Sequence, residues 1–344
     1  MEKTLKKLAG HNELYIFLIV AVLGILIQFR SGQFFTGNNL VDIASAMIVP
    51  GMFAIGEFMV IVSGGFDVSF PALASLSVYA TTKLLLDAKY EGGIWLPIVL
   101  CLVFGAILGA FNGLFVGYFG LNAMIVTLGA SSVFKGFMQG TLDSRQLAVI
   151  PAGMKEFGTS ALFTTTNEVS GLSSRMPVGF LVFLAVLVFA WFLLTRTYFG
   201  RGIYAIGGNP ASAKAAGFNV KRTKFLMFVI VGMIASLAGL IRVCMMQQCH
   251  PTNMLGMEMN IIAGVVLGGT AIAGGAGTLT GCMLGTLLIV LVENSMILIG
   301  VPTTWKNVFV GALIVIGTGI SAYQVVRAGK ASDKAKKISG GAVK

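Results

Sequence analysis

Apolar residues dominate this chain in long blocks separated by short polar interruptions, with no regular alternation. The blocks fall near residues 14–30, 41–62, 70–86, 94–118, 121–140, 178–195, 223–246, 258–273, 276–297 and 306–326. Each is close to the roughly 20 residues that a helix needs to cross the hydrocarbon of a bilayer. Only helices and closed barrels satisfy all their backbone polar groups in lipid, and unbroken runs lack the in-and-out alternation of barrel strands. The pattern predicts an all-α polytopic membrane protein with about ten transmembrane helices. Because the blocks reach from Leu14 to Val326, residues 1–344 read as a single transmembrane domain with no second folded unit.

Composition agrees: 56% of residues are hydrophobic and 11% charged, against roughly 45 to 50% and 25% in an average soluble domain. The formal net charge is +11, but the basic residues lack the motif frame of a nucleic-acid module and gather at helix ends. With a cytoplasmic N-terminus, Lys3, Lys6, Lys7, Arg196, Arg201, Lys214, Lys221, Arg222, Lys224 and the tail 327–344 all fall inside, as the positive-inside rule requires. Both termini and the loop 196–222 are then cytoplasmic, and the polar segment 141–177 is external. The basic start "MEKTLKKLAG" resembles a signal-peptide n-region, yet "RSGQFFTG" after the first apolar run offers no A-x-A cleavage site, so that run is expected to be a retained helix. Cys101, Cys244, Cys249 and Cys282 form no C-x-x-C, and His11 and His250 are the only histidines. Neither a disulfide frame nor a metal site is indicated.

One interruption stands out, "YAIGGNPASAKAAGFNVKR" from Tyr204 to Arg222. Asn209 can cap a helix, Pro210 suits its first position, Ala211, Ser212, Ala213, Lys214, Ala215 and Ala216 can extend it, and Gly217 can end it. A helix of about two turns is marginal alone in water, so something must pack against it. Its small side chains suit close docking in a partner's cleft; the alternative is a short helix on the lipid headgroups, held by Lys214, Lys221 and Arg222. Two glycine-dense stretches, "SGGFDVSFPA" from Ser63 and "LGGTAIAGGAGTLTG" from Leu267, each lie between apolar blocks, a pattern of duplicated halves at low residue identity.

Candidate pathway residues are the polar groups inside apolar blocks: Glu57, Asp67, Ser69, Asn112, Asn122, Thr127 and Ser131, with Ser132, Gln139, Glu293 and Asn294 beside them. A carboxylate such as Glu57 is costly in a membrane helix unless it meets the bundle interior or water, so it is expected at a central cavity or in a solvated structural role. Asp67 either caps the following helix, with Pro71 in its first turn, or touches a solute. Ser and Thr often bond helix to helix, so single residues of that kind say little. Lys135 and Arg242 lie toward outer helix ends and are expected to snorkel. The stretch "GGTAIAGGAGTLTG" lacks the lysine of a phosphate loop and reads as close packing or a turn.

"RTYFGRGIYAIGGNPASAKAAGFNVKRTK", "IVSGGFDVSFPALA", "AFNGLFVGYFGLNAMIVTLGASSVFKG" and "GMEMNIIAGVVLGGTAIAGGAGTLTGCMLGTLLI" occur in that family's order over about Phe53 to Gly311 and together resemble sugar-type ABC-transporter permeases, the ribose-permease-like branch related to branched-chain amino-acid permeases. The resemblance implies a non-enzymatic transport subunit in a bacterial cytoplasmic (inner) membrane. Its expected partners are a second permease, identical or paralogous, two ATP-binding subunits, and a periplasmic or lipid-anchored solute-binding protein. ATP and magnesium would bind the ATPase partners, and residues 210–216 would be the coupling helix. In agreement, the chain has no G-x-x-x-x-G-K-[ST] of its own. Two departures from the family pattern are Pro71, where relatives usually carry Gly, and Glu57, where they usually carry an apolar residue.

The function expected is import of a small polar solute, with a monosaccharide foremost, by ATP-driven alternating access. The alternative from another class is an ion- or proton-coupled carrier using Glu57 and Glu293 with no ATPase. An intramembrane enzyme finds no support: His11 and His250 flank the spans, and H-E-x-x-H and G-x-S-x-G are missing.

Overall fold

Every apolar block from 14–30 to 276–297 contains a helix in the computed structural model, which describes residues 12–143, 145–167, 171–305 and 308–312 with Val315 and Gly319. In chain order these helices are α1 (Asn12–Ser31), α2 (Gly37–Val62), α3 (Phe70–Asp87), α4 (Trp95–Gly113), continued by a π-helical turn (Leu114–Tyr118), and α5 (Ala123–Thr141). After the external segment come α7 (Gly179–Arg196), α10 (Val220–Met246), α11 (Glu258–Leu267) and α12 (Leu279–Ile299). The expected tenth span, 306–326, falls mostly outside the described residues, and the tail 327–344 and residues 1–11 fall wholly outside them. Among the described residues, six helices are long and apolar enough to cross a bilayer: α1, α2, α4 with its π turn, α7, α10 and α12. The α3 helix needs less apolar character because the bundle encloses it, with Thr81 and Thr82 as well as Leu73 and Tyr79 buried.

The structure corrects three expectations. The block 258–273 is not a full span: α11 has 10 residues, about 15 Å of helix against a hydrocarbon core of about 30 Å. The segment 141–177 is not a bare loop, because it folds into α6 (Ala152–Thr159) and an antiparallel hairpin of β1 (Ala161–Thr166) and β2 (Ser173–Pro177). The protein is therefore not purely α-helical. The loop 196–222 also carries more structure than one short helix, with α8 (Tyr198–Gly208) ahead of α9 (Pro210–Ala215).

The approach of α4 to α10 is set by glycines. Gly105, Gly109, Gly113 and Gly117 recur every fourth residue along α4 and its π turn, so they share one face. A Cβ there would fall 2.5 Å from Gly232 O, 2.3 Å from Phe228 O, 2.8 Å from Phe225 O and 2.8 Å from Lys221 O respectively, all on α10. Small residues at this spacing let two backbones approach until dispersion and weak polar contacts replace the hydrophobic drive that lipid does not supply. The α11–α12 pair uses the same device, with Gly264 and Gly268 against Gly281 and Gly285.

Opposite ends of the bundle carry different features. The start of α2 is tied to the hairpin, Asn38 Nδ2 donating to Leu172 O at 2.6 Å, and the end of α10 is packed on α6, where a Cβ on Gly158 would fall 1.8 Å from Cys244 O. Leu147 and Cys249 exchange both backbone hydrogen bonds at 2.9 Å, which fixes the loop before α6 to the chain just after α10. At the other end of α10, Phe218 stacks on Tyr198 at 4.5 Å beside α9. With 27 residues in α10, these ends lie about 40 Å apart. Lys155 on α6 and Lys214 on α9 are exposed, while all four cysteines are buried. Single cysteines placed at 155 and 214 are thus expected to react with an impermeant maleimide from opposite sides of the membrane. Reaction of both from one side overturns this arrangement.

Candidate functional site

Between α2 and α3 the chain breaks over residues 63–69, and side chains take up the backbone N–H groups left over at the break. The N–H of Asp67 donates to Glu57 Oε1 at 3.2 Å, that of Val68 to Thr127 Oγ1 at 3.1 Å, and that of Ser69 to Asp67 Oδ1 at 2.7 Å. The Ser69 hydroxyl donates to the same Asp67 oxygen at 2.6 Å and accepts from Asn112 Nδ2 at 2.7 Å. Glu57, Asp67, Ser69, Asn112 and Thr127 are all buried. Five of the expected pathway residues therefore meet, and what they build is a fastening of the α2–α3 break to α2, α4 and α5. Asp67 does the capping; Ser69 holds the N-cap position of α3, but its own side chain caps no N–H, and Pro71 sits in the first turn. Asn122 and Ser131 stand apart. Asn122 is exposed and caps α5, accepting from Met124 N and Ile125 N at 3.0 and 3.4 Å, and no hydrogen bond of the network reaches the buried Ser131.

Just below this network the two glycine-dense stretches meet around the end of α8. Val62 O, at the end of α2, accepts from Gly275 N at 2.8 Å, and Tyr204 Oη donates to Gly277 O at 3.1 Å. A Cβ on Gly207 would fall 1.7 Å from Val62 O, one on Gly274 2.7 Å from Gly64 Cα, and one on Gly275 2.7 Å from Gly208 Cα. Apart from the Tyr204 hydroxyl these contacts are backbone on backbone, which any larger residue at the glycines would prevent.

The very next residue, Asn209, starts α9. Its side chain accepts from Ala211 N at 2.9 Å and Ser212 N at 3.0 Å, and Pro210 occupies the first turn. At the other end Gly217 has φ +90°, Gly217 N donates to Lys214 O at 3.0 Å and Phe218 N to Ala213 O at 3.1 Å. This paired closure is the Schellman arrangement that glycine's left-handed freedom permits. Within α9, Ala213 is buried against its own chain. Ala211, Ser212, Lys214, Ala215 and Ala216 are the exposed positions.

A cavity of about 490 Å³ lies between α2, α10, α11 and α12, and none of the network residues lines it. Glu57 therefore does not face it. Its polar wall is Arg242, Asn253, Asn260, Glu293 and Asn294, with Ile261, Ile289 and Val290 among its apolar lining. Arg242 Nε donates to Asn253 Oδ1 at 2.9 Å, and Asn260 Nδ2 to Glu293 Oε1 at 3.0 Å. Thr286, Ile289, Val290, Glu293 and Asn294 line it at the three- and four-residue spacing of one face of α12. Ala46 and Pro50 line it from α2; Pro50 has no N–H to return to the Ala46 carbonyl. Arg242 thus points into a cavity in place of snorkelling to the interface. A second cavity of about 400 Å³ shares Ala46, Arg242 and Asn294 and adds Asp42 and Ser45, and a third of about 230 Å³ continues past Ser45 and Met245 to Arg175 and Pro177 of β2. Of the polar wall, Glu293 and Asn294 are legible in the sequence as intramembrane polar groups and Asn253 and Asn260 are not; in the adjoining cavities Asp42 and Ser45 are marked only by their helical spacing from Ala46 and Pro50.

Comparison with known proteins agrees in sequence but finds no solved structure that matches. The family model described as "Branched-chain amino acid transport system / permease component" matches residues 39–317. The chain is 32% identical to the D-allose transport system permease protein AlsC of Escherichia coli strain K12, over 88% of each chain. It is 30% identical to the ribose import permease protein RbsC of the same strain, over 87% of this chain and 90% of that one. With the xylose transport system permease protein XylH of that strain it shares 27% identity, over 87% and 89%. Matched from α2 to beyond α12, and nearly end to end by sugar permeases, the chain belongs to the permease-component family of these transport systems.

Proposed function

We propose that this chain is the membrane-spanning subunit of an ATP-driven importer of a monosaccharide. The observation that carries the reading is similarity over 87–88% of the chain to the permease proteins of D-allose, xylose and ribose transport. It is a transport subunit and not an enzyme, and ATP hydrolysis belongs to a separate partner. In this reading a solute-binding protein delivers sugar to the hairpin face, two ATP-binding subunits engage α8 and α9 from the cytoplasm, and a second permease, identical or paralogous, completes the path. ATP and magnesium act in those partners. The protein sits in a bacterial cytoplasmic membrane with both termini inside.

Geometry supports a coupling role for α9. A helix capped at both ends by its own residues keeps its shape when it is pushed, and Asn209 follows directly on the glycine contacts of Gly207 and Gly208 with the end of α2 and with Gly274 and Gly275. Movement of α9 is thereby passed to the α2–α3 break without intervening side chains. The polar network fixes that break to α4 and α5, so the membrane helices respond together. Against the carrier alternative, Glu57 and Glu293 occupy separate places, one inside the network and one on the cavity wall.

Three outcomes are expected. In proteoliposomes with the ATP-binding subunits and binding protein, uptake of at least one of D-allose, D-ribose and D-xylose requires hydrolysable ATP; uptake that persists without the ATP-binding subunits sinks the importer reading.

Replacing Ala215 by Trp on the exposed face of α9 blocks co-purification of the ATP-binding subunit and leaves the helical content unchanged. Ala213→Trp, by contrast, disrupts the loop itself. Gly217→Val strains a left-handed position by about 1–2 kcal/mol and weakens coupling as well. Full assembly and full solute-stimulated ATPase activity in Ala215→Trp and Gly217→Val would return α9 to the membrane surface.

Glu57→Ala leaves the buried N–H of Asp67 without its acceptor and is expected to cost about 1–3 kcal/mol, read as a lowered thermal midpoint in detergent. Glu57→Gln keeps an acceptor oxygen and stays close to the native midpoint. Equal midpoints for both variants would show that the contact to Asp67 does not hold the break.

A further inference from the structure

We infer that the cavity between α2, α10, α11 and α12 is the binding site of the permease for an uncharged polyhydroxyl solute, and that the two cavities beyond it form the approach from the hairpin face. The inference rests on the importer reading and assigns residues to it. Intramembrane Arg, Glu and Asn side chains are costly unless they face water or a ligand. Here they converge on one space of about 490 Å³, within the range of small-molecule sites, with apolar residues beside them.

The wall favours a polyol by its chemistry. Guanidinium, carboxylate and amide groups are planar and offer paired donors or acceptors, so each can engage two neighbouring hydroxyls at once. Arg242 supplies donors only, the carboxyl oxygens of Glu293 acceptors, and Asn260 and Asn294 both kinds. A hydroxyl, which donates and accepts, finds a partner in either orientation. Arg242 and Glu293 bring a basic and an acidic side chain to the same wall, so the lining is not of one sign. The Ala46 carbonyl, denied its usual helical donor by Pro50, adds an acceptor on the α2 side. Ile261, Ile289 and Val290 give the C–H faces of a sugar ring an apolar surface.

Position supports the assignment. Asp42, Ser45, Ala46 and Pro50 follow one face of α2, and Arg242 and Met245 stand near the end of α10 that packs on α6. The track therefore runs inward from Arg175 on β2 and reaches Glu293 in the half of the bundle away from α9. It stops short of the Glu57 network: Pro50 and Glu57 are seven residues apart on α2, about 10 Å along the axis.

The test uses the assembled transporter in proteoliposomes, with the aldose whose ATP-dependent uptake is established. Asn260→Ala is expected to lower maximal uptake about tenfold, about 1.4 kcal/mol of lost transition-state stabilisation, while the variant still co-purifies with the ATP-binding subunits. In Glu293→Gln the Arg242 charge is unbalanced, so the aldonate anion of that sugar inhibits uptake by the variant and not by the native protein. Asn294→Cys, in a chain whose own cysteines are buried, is expected to react with an impermeant methanethiosulfonate reagent from the side of residue 155, and the sugar slows that reaction. Native uptake in Asn260→Ala, no anion inhibition in Glu293→Gln, or an unreactive thiol at 294 overturns the site, the last by showing the cavity closed by packing in the assembly. These results leave the importer reading intact as long as native uptake requires the ATP-binding subunits, and only loss of that requirement refutes the reading itself.

Discussion

Backbone-to-backbone approach of α4 and α10 is the constraint on which the rest of the structure depends. In lipid the apolar side chains of two helices gain little by leaving the solvent, since hydrocarbon surrounds them either way, and close packing must supply the association. Gly105, Gly109, Gly113 and Gly117 supply it by leaving the α4 side of the contact without side chains, so that the α10 backbone comes close. Seated in this way, α10 spans the bundle between α6 at one end and the α8–α9 loop at the other. It presents Arg242 to the cavity, while Asn112 of α4 reaches Ser69. The two candidate functional regions thus hang from a single rigid pair.

Much of the fold could be read from the sequence because lipid imposes a simple rule: long apolar runs become helices, and polar punctuation becomes ends. The caps of α9 could be read for a local reason, since Asn209, Pro210 and Gly217 each fix their own backbone. Expectations failed where the determining partner lies far away in sequence. The hairpin and α6 form because the end of α10 and the start of α2 give the polar segment 141–177 something to pack on. Likewise, α11 stops after Leu267 because Gly268 must pass close to Gly281 in the turn that brings α12 back.

The candidate site divides in the same way. Polar residues within apolar blocks were visible, but their tasks were not. Asp67, Ser69, Asn112 and Thr127 looked like members of a pathway and are joined by hydrogen bonds at the buried α2–α3 break, where a broken helix leaves N–H groups that water does not reach. Arg242 looked like a snorkelling residue by its place near a helix end, and its partner Asn253 stands on a loop that sequence periodicity does not describe. The stripe Asp42, Ser45, Ala46, Pro50 on α2 and its counterpart Thr286, Glu293, Asn294 on α12 follow helical spacing, so the two faces could have been drawn. That they oppose each other is a fact of tertiary packing alone.

The meeting of Val62, Gly64, Gly207, Gly208, Gly274 and Gly275 has a mechanical consequence. A contact built from side chains has slack, because rotamers can shift and absorb a displacement before the next element feels it. This contact has no rotamers. A shift of α8 must move the end of α2 and the α11–α12 turn together or break the fit altogether, as a gear without backlash turns its neighbour at once or strips. Genetic damage should follow the same logic, with intolerance to substitution concentrated at these glycines, which carry no chemical group of their own.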